Sequence, residues 1–364
     1  MKSKERIITA LNCKQPDKIP IFELLIDEIS IIKLSKILLT KPVKTKAKKT
    51  RWGEERLKIL DYYCLIIKNL KLDAATTNFS KGLKIINENY GKDRFGTIYH
   101  LSPHGEPFPI EGPIKQLSDV KGLDMVSKLS ISDFEGVKYV INDIGKDLAQ
   151  FMNISDPFKM SWTLRGGMQN LLLDYRLNPK LVHELAHITT EFNLAAIDIA
   201  SQIGVDVIAM GGDLAGEESL LISPVDYREY IKPYHKILVD YTHKKGLKII
   251  KHSDGNLWHI LNDLIEVGFD GLHPIQPQSM DIEEVKKYLE GKVCVLGNID
   301  CRNLLPFGTE LEVERTVKET IDKVAKGGGF IISSSNSIHP GVKPENYIAM
   351  VNSAHKYGGY KKTI

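Results

Sequence analysis

The stretch Lys248-Ile249-Ile250-Lys251-His252-Ser253-Asp254-Gly255 sets an apolar run against an abrupt polar end. A short apolar run bounded by glycine reads as a buried strand, and the side chains that end it, His252 and Asp254, sit where that strand leaves the core. The residues 18–25, 74–79, 148–154, 206–212, 271–276, 293–298 and 330–335 repeat the pattern, which gives eight runs in all. Helical patterns fill most of the gaps. Ser223 followed by Pro224 forms an N-cap and first helical residue, the apolar period of 3.6 continues through Leu238 and Val239, and Gly246 stops it. Pro233 is expected to kink this helix.

Strand and helix alternating to the end predict a (β/α)8 TIM barrel. In that architecture the strand interiors fill the core and the C-terminal strand ends carry the chemistry, so polar residues at successive ends share one pocket. Asp213, His252, Asp254, Gln276, Asp300 and Asn336 occupy those ends.

The 364 residues are read as one domain over 1–364, with insertions at about 41–56 and 83–121. The first holds Lys44, Lys46, Lys48, Lys49, Arg51 and Trp52, which make either a solvated loop or a docking surface for an acidic partner. The second is rich in Gly and Pro and reads as a hairpin excursion near the barrel mouth. Apolar content of 42% allows a large core, while 26% charged residues and a net charge of +3 argue against disorder and against a nucleic-acid binder. No apolar run reaches the length of a membrane span, and a cytoplasmic location is expected. Cys13, Cys64, Cys294 and Cys301 fit no disulfide or zinc-ribbon spacing and read as reduced core residues.

One motif competes with this reading. His183-Glu184-Leu185-Ala186-His187 matches H-E-x-x-H, which on a helix puts two histidines on one face to hold zinc. Its place, a helix on the outside of the barrel, and the lack of a third histidine downstream argue for two surface histidines instead.

The segments Met210-Gly211-Gly212-Asp213, Lys251–Asn256, Gly297-Asn298-Ile299-Asp300 and Ser333–Gly341, together with Glu5–Leu11 and Pro16–Pro20, resemble the uroporphyrinogen decarboxylase superfamily over nearly the whole chain. That resemblance implies one of two chemistries. Decarboxylation of uroporphyrinogen needs arginines after the first strand to grip carboxylates, and this chain has Ile21-Phe22-Glu23-Leu24-Leu25-Ile26-Asp27-Glu28 there. The family's histidine near the eighth strand is also replaced by Asn336, with His339 close by.

The methyltransferase branch of the superfamily fits better. Its members hold zinc through a His-x-Cys pair and a later cysteine. Here His252 keeps the histidine position, Asp254 stands at the first cysteine and Asn336 roughly at the second. The resemblance therefore implies a zinc site of His252 and Asp254, completed by Glu23, Asp213 or His273, acting as a Lewis acid.

A methyl group would pass from a methoxylated or methylated small molecule to Co(I) of a corrinoid protein. His252, Asp254, Asp213 and Glu23 are the expected catalytic groups, with Gln276, Asn336, Asp300, His273 and Arg165 binding substrate. A homodimer is common in the superfamily. Decarboxylation and a non-catalytic binding barrel are the alternatives.

Overall fold

A computed structural model describes residues 1–39, 54–80, 82–102 and 107–360. The basic cluster at 44–52 lies outside them. Along the chain the strands are β1 (Ala74–Asn78), β2 (Lys84–Ile85), β3 (Tyr90–Lys92), β4 (Ile98–His100), β5 (Phe108–Glu111), β6 (Ala149–Ser155), β7 (Val207–Gly211), β8 (Lys248–His252), β9 (Gly271–His273), β10 (Cys294–Ile299) and β11 (Phe330–Ser334).

β1, β6, β7, β8, β9, β10 and β11 form one parallel sheet in that order, curled in the manner of a TIM barrel. The registers Ala74↔Ala149, Phe151↔Val207, Val207↔Lys248 and Val295↔Phe330 align the strands so that their C-terminal ends lie together. Burial on both faces explains the unbroken apolar runs.

The expected first strand, 18–25, is not a continuous strand. It makes a single parallel bridge, Ile21↔Ile332, although it still spans the two sheet edges. Phe22 N–H donates to Ile332 O at 3.0 Å, Asp73 N–H donates to Ile21 O at 2.9 Å, and Thr76 Oγ1 donates to Glu23 O at 2.8 Å. Side chains replace ladder bonds here: Ile21 N–H goes to the Asp73 carboxylate at 2.9 Å, and Pro20 has no N–H to offer.

Two apolar layers hold the sheet. The inner one holds Phe22, Leu24, Phe151, Val207, Ala209, Ile250, Leu296 and Ile331, capped from below by Ile7, Ala10 and Leu11 of helix Ser3–Leu11. That helix fills the N-terminal end of the barrel, where a Cβ on Gly271 would sit 3.2 Å from Leu11. The outer layer packs the sheet against the helices.

β9 ends at His273, short of the expected 276, because Pro274 cannot donate to the ladder. The helix expected to bend at Pro233 is broken into Pro224–Tyr230 and Lys232–Lys244, with Ile231 at φ −125° between them. Ser223 caps the first piece as expected, its Oγ accepting from Asp226 N–H at 3.1 Å.

The region 83–121 is more than a hairpin. β2–β5 form a four-stranded antiparallel sheet, and Asp93 pins the turn between β3 and β4. Its Oδ1 accepts from Phe95, Gly96 and Thr97 N–H, each at 2.9 Å, and its Oδ2 accepts from Tyr99 Oη at 3.0 Å.

Candidate functional site

The ends of β7 and β8 bring Asp213, His252 and Asp254 together, with one ligand atom of each within 4.8 Å of the others. It is the only such acid–histidine group among the described residues. His252 Nε2 lies 3.9 Å from Asp213 Oδ1, and the same Asp213 oxygen accepts Asp254 N–H at 3.0 Å. Asn336, beyond the end of β11, donates Nδ2–H to Asp254 Oδ2 at 2.6 Å. The other Asp254 oxygen, Oδ1, is buried and has no hydrogen-bond partner. A buried carboxylate oxygen without a partner is costly, which makes it the position a proton or a cation would occupy.

Electrostatics agree with that geometry. Burial, and then the neighbouring Asp213 charge, push the Asp254 carboxyl up to about 7. Burial, reinforced by the Lys251 and Lys159 ammonium groups, holds His252 down at about 3, so its ring is neutral and one of its two nitrogens can act as an acceptor or ligand. His273 stands behind it, Nδ1 to Nδ1 at 2.9 Å, and burial holds this ring neutral as well. A nitrogen and two carboxylates, one of them with an unpartnered oxygen, make a donor set that a borderline cation such as zinc fits.

The cluster opens on a cavity of about 470 Å³. Phe79, Phe95, Trp162 and Phe192 supply its apolar wall, and Lys159, His252, Asp213 and Asn336 its polar end. Tyr99 and Pro109, from the small sheet, close one side. A second cavity of about 480 Å³ meets the first at Asn336 and Ser337 and includes Asp254, Gln276, Cys301 and His339. Gln276 accepts Gly255 N–H at 2.9 Å and so holds the loop that carries Asp254.

Other expected site residues are placed elsewhere. Glu23 is 3% exposed and is absent from the cavity lining. Alternation explains why: Phe22 and Leu24 belong to the inner layer, so Glu23 faces outward between sheet and helices. There it accepts Ser334 N–H at 3.0 Å and Ser334 Oγ–H at 2.7 Å, and burial pushes its carboxyl up to about 8 despite those donors. The acids of that segment that do reach the cavity are Asp27 and Glu28.

Asp300 caps the turn after β10, accepting Arg302 N–H at 2.7 Å. Arg165 is bound to Asp174 at 2.6 Å and to Ile114 O at 2.7 Å, away from both cavities. His339 spends Nε2–H on Cys301 O at 2.8 Å. His183 of the H-E-x-x-H segment lies on helix Pro179–Ile203, with Nδ1 3.1 Å from Tyr234 Oη, outside the barrel.

A charged network below the site was not anticipated. Lys251, Asp156 and His235 are all 0% exposed. Lys251 Nζ donates to Asp156 Oδ2 at 3.0 Å, Gly212 O at 2.6 Å and His252 O at 3.0 Å. His235 Nε2 lies 3.3 Å from the same Asp156 oxygen. Burial would raise the Asp156 carboxyl, but Lys251 and His235 outweigh it and hold it low. The sequence did carry signals: a lysine inside an apolar strand, and Ser155-Asp156-Pro157 as an N-cap before a helix.

Comparison with known proteins agrees with the barrel. The family model described as "Uroporphyrinogen decarboxylase (URO-D)" matches residues 92–357. The uroporphyrinogen decarboxylase of Prochlorococcus marinus (strain MIT 9312) is 23% identical over 248 residues, covering 65% of this chain and 68% of that protein. The one from Myxococcus xanthus (strain DK1622) is 24% identical over 275 residues, covering 73% and 75%. Among solved structures, a methyltransferase from Methanosarcina mazei superposes with a TM-score of 0.78 at 19% identity, covering 98% of this chain and 99% of that one, a likeness of fold. With a family match that takes in most of the chain, the protein belongs to the uroporphyrinogen decarboxylase (URO-D) family and has its TIM-barrel-like fold.

Proposed function

We propose that this protein is the methyltransferase component of a corrinoid-dependent system. It would move a methyl group from a methoxylated or methylated small molecule to Co(I) carried by a partner corrinoid protein. The observation that carries the reading is the pairing of the cavities' arginines. Among the described residues these are Arg94, bound to Asp133 at 2.6 Å, and Arg302, bound to Glu217. A substrate with several carboxylates would meet arginines already paired, beside the Asp213–Asp254 acids. An aromatic wall ending at a neutral His252 and Asp213, with Asp254 beside them, suits a small apolar methyl donor instead.

In this reading the donor's body lies against Phe95, Trp162 and Phe192, which exclude water, and its methylated oxygen or nitrogen points at the cluster. The methyl–oxygen or methyl–nitrogen bond breaks as the methyl passes to the partner's cobalt, and the departing atom takes up a proton. Asp254 holds such a proton at Oδ1, because burial and Asp213 keep its carboxyl partly protonated near neutral pH. Asn336 fixes the other Asp254 oxygen and so orients the acid. Alternatively, His252, Asp213 and Asp254 would be the ligands of a zinc ion, which takes the place of that proton at Asp254 Oδ1 and supplies Lewis-acid chemistry to the departing atom instead.

The named relatives favour a second reading, decarboxylation of a porphyrinogen or related acid. One experiment separates the two. The protein is mixed with a corrinoid protein in the Co(I) state and a panel of methoxylated aromatics and methylamines, and the cobalt spectrum is followed. Methyl-Co(III) formation that His252→Ala abolishes supports methyl transfer. A silent cobalt spectrum, with CO2 released from uroporphyrinogen, overturns it in favour of decarboxylation.

A further inference from the structure

We infer that Lys251 is a positioning residue, which sets the geometry of the Asp213–His252 pair from beneath the site; the inference rests on the metal-holding reading above. The ammonium group is wholly buried and spends its three donors on three neighbouring strand ends. Asp156 follows β6, Gly212 follows β7, and His252 ends β8. The bonds run 3.0, 2.6 and 3.0 Å to Asp156 Oδ2, Gly212 O and His252 O. Two of these acceptors are the backbone carbonyls immediately before Asp213 and at His252 itself. One cation therefore fixes the chain positions from which both candidate ligands project.

The network is anchored from outside the barrel. Asp156 Oδ1 accepts Lys159 N–H at 2.7 Å and so caps helix Pro157–Leu164, which carries Lys159 and Trp162 into the cavity. Asp156 Oδ2 is shared with His235, whose Nδ1 lies 3.3 Å from Tyr227 Oη. There is no room for adjustment at the centre, because a Cβ on Gly212 would fall 2.3 Å from Asp156 Oδ1. A methionine, shorter by the ammonium nitrogen alone, would fill most of the lysine's place and leave Gly212 O without its donor. Replacing a buried ion pair by neutral groups often costs little stability, so site geometry lost while stability is kept marks a pair held for position. Groups behind metal ligands set ligand orientation, and their loss commonly weakens metal binding about 10–100-fold.

The test uses the full chain and Co(II) as the probe metal, read by visible absorption and by titration of affinity. Lys251→Met alone leaves the Asp156 charge buried without its cation and is expected to fold poorly. Lys251→Met combined with Asp156→Asn removes both charges and keeps a side-chain oxygen to cap the helix. We expect this double variant to unfold thermally close to the wild type while binding Co(II) about 10–100-fold more weakly, with altered absorption bands. Wild-type affinity and bands in the folded double variant would overturn the role of Lys251 and leave the metal reading intact. Absence of Co(II) uptake by the wild type itself would overturn the metal reading, and this inference with it.

Discussion

His252 and His273 meet through their Nδ1 atoms at 2.9 Å, so one ring must donate its proton and the other accept it. Both rings are neutral, and Nε2 of His252 is left facing Asp213. The pair thereby locks the His252 ring in one orientation. His273 lies edge-on to Phe22, with centroids 5.9 Å apart, so His273→Phe keeps the ring volume and removes only the nitrogen partner. Thermal stability should change little, while metal affinity, or the rate of methyl transfer, should fall roughly tenfold or more. Isothermal titration with Co(II) alongside a melting curve checks this; unchanged affinity would mean that His273 is only packing.

Asp254 is kept at a cost. A buried acid beside Asp213, with Oδ1 unpartnered, destabilises the folded state. Asp254→Asn removes the like-charge contact and can keep a hydrogen bond with Asn336. The variant should melt a few degrees higher, roughly 1 kcal/mol more stable, and lose about 100-fold or more in turnover. A variant that melts higher yet turns over normally would remove Asp254 from the chemistry.

The barrel was legible because burial on both faces writes each strand as an apolar run, and β1, β6, β7, β8, β10 and β11 fall within or close to the expected spans. His252, Asp213 and Asp254 were legible for a related reason: the sheet's parallel register places every strand end at one rim. Glu23 was misplaced because a strand end does not reveal which face a residue takes, and one residue of alternation moves it from lumen to wall. Asp300 and Arg165 were expected to meet substrate. Asp300 instead caps its own turn at Arg302 N–H, a local contact that aspartates commonly make, and Arg165 pairs with Asp174, which the strand-end pattern does not show. The Lys251–Asp156–His235 network joins residues up to 95 positions apart, a contact that sequence spacing cannot express.

Glu23 gives the fold a pH dependence of definite sign. Its carboxyl is raised from 4.5 to about 8, so between those values the folded state binds a proton that the unfolded chain releases. Stability from this group is therefore present at low pH and is lost as pH rises from about 4.5 through about 8. Glu23→Gln stays neutral and can still bond Ser334 at both atoms. Between about pH 6 and about pH 9 the wild type should lose on the order of a few kcal/mol more than this variant. Melting curves of the two proteins at both pH values give the answer, and parallel losses would show that Glu23 is ionised throughout.

Gly212 tests the crowding beneath the site. Its Cβ would lie 2.3 Å from Asp156 Oδ1 and 2.6 Å from Oδ2, whereas a Cβ on neighbouring Gly211 would meet nothing closer than 3.8 Å. Asp156 cannot swing aside cheaply, because Lys251, His235 and Lys159 N–H hold both of its oxygens. Gly212→Ala must therefore push the strand end outward or break the Lys251 contacts. It should cost about 1–3 kcal/mol, and shift Asp213 enough to weaken metal binding. Gly211→Ala should be nearly neutral for stability. Denaturant unfolding of both variants measures the difference, and equal stabilities would mean that the chain between β7 and Asp213 is looser than this packing requires.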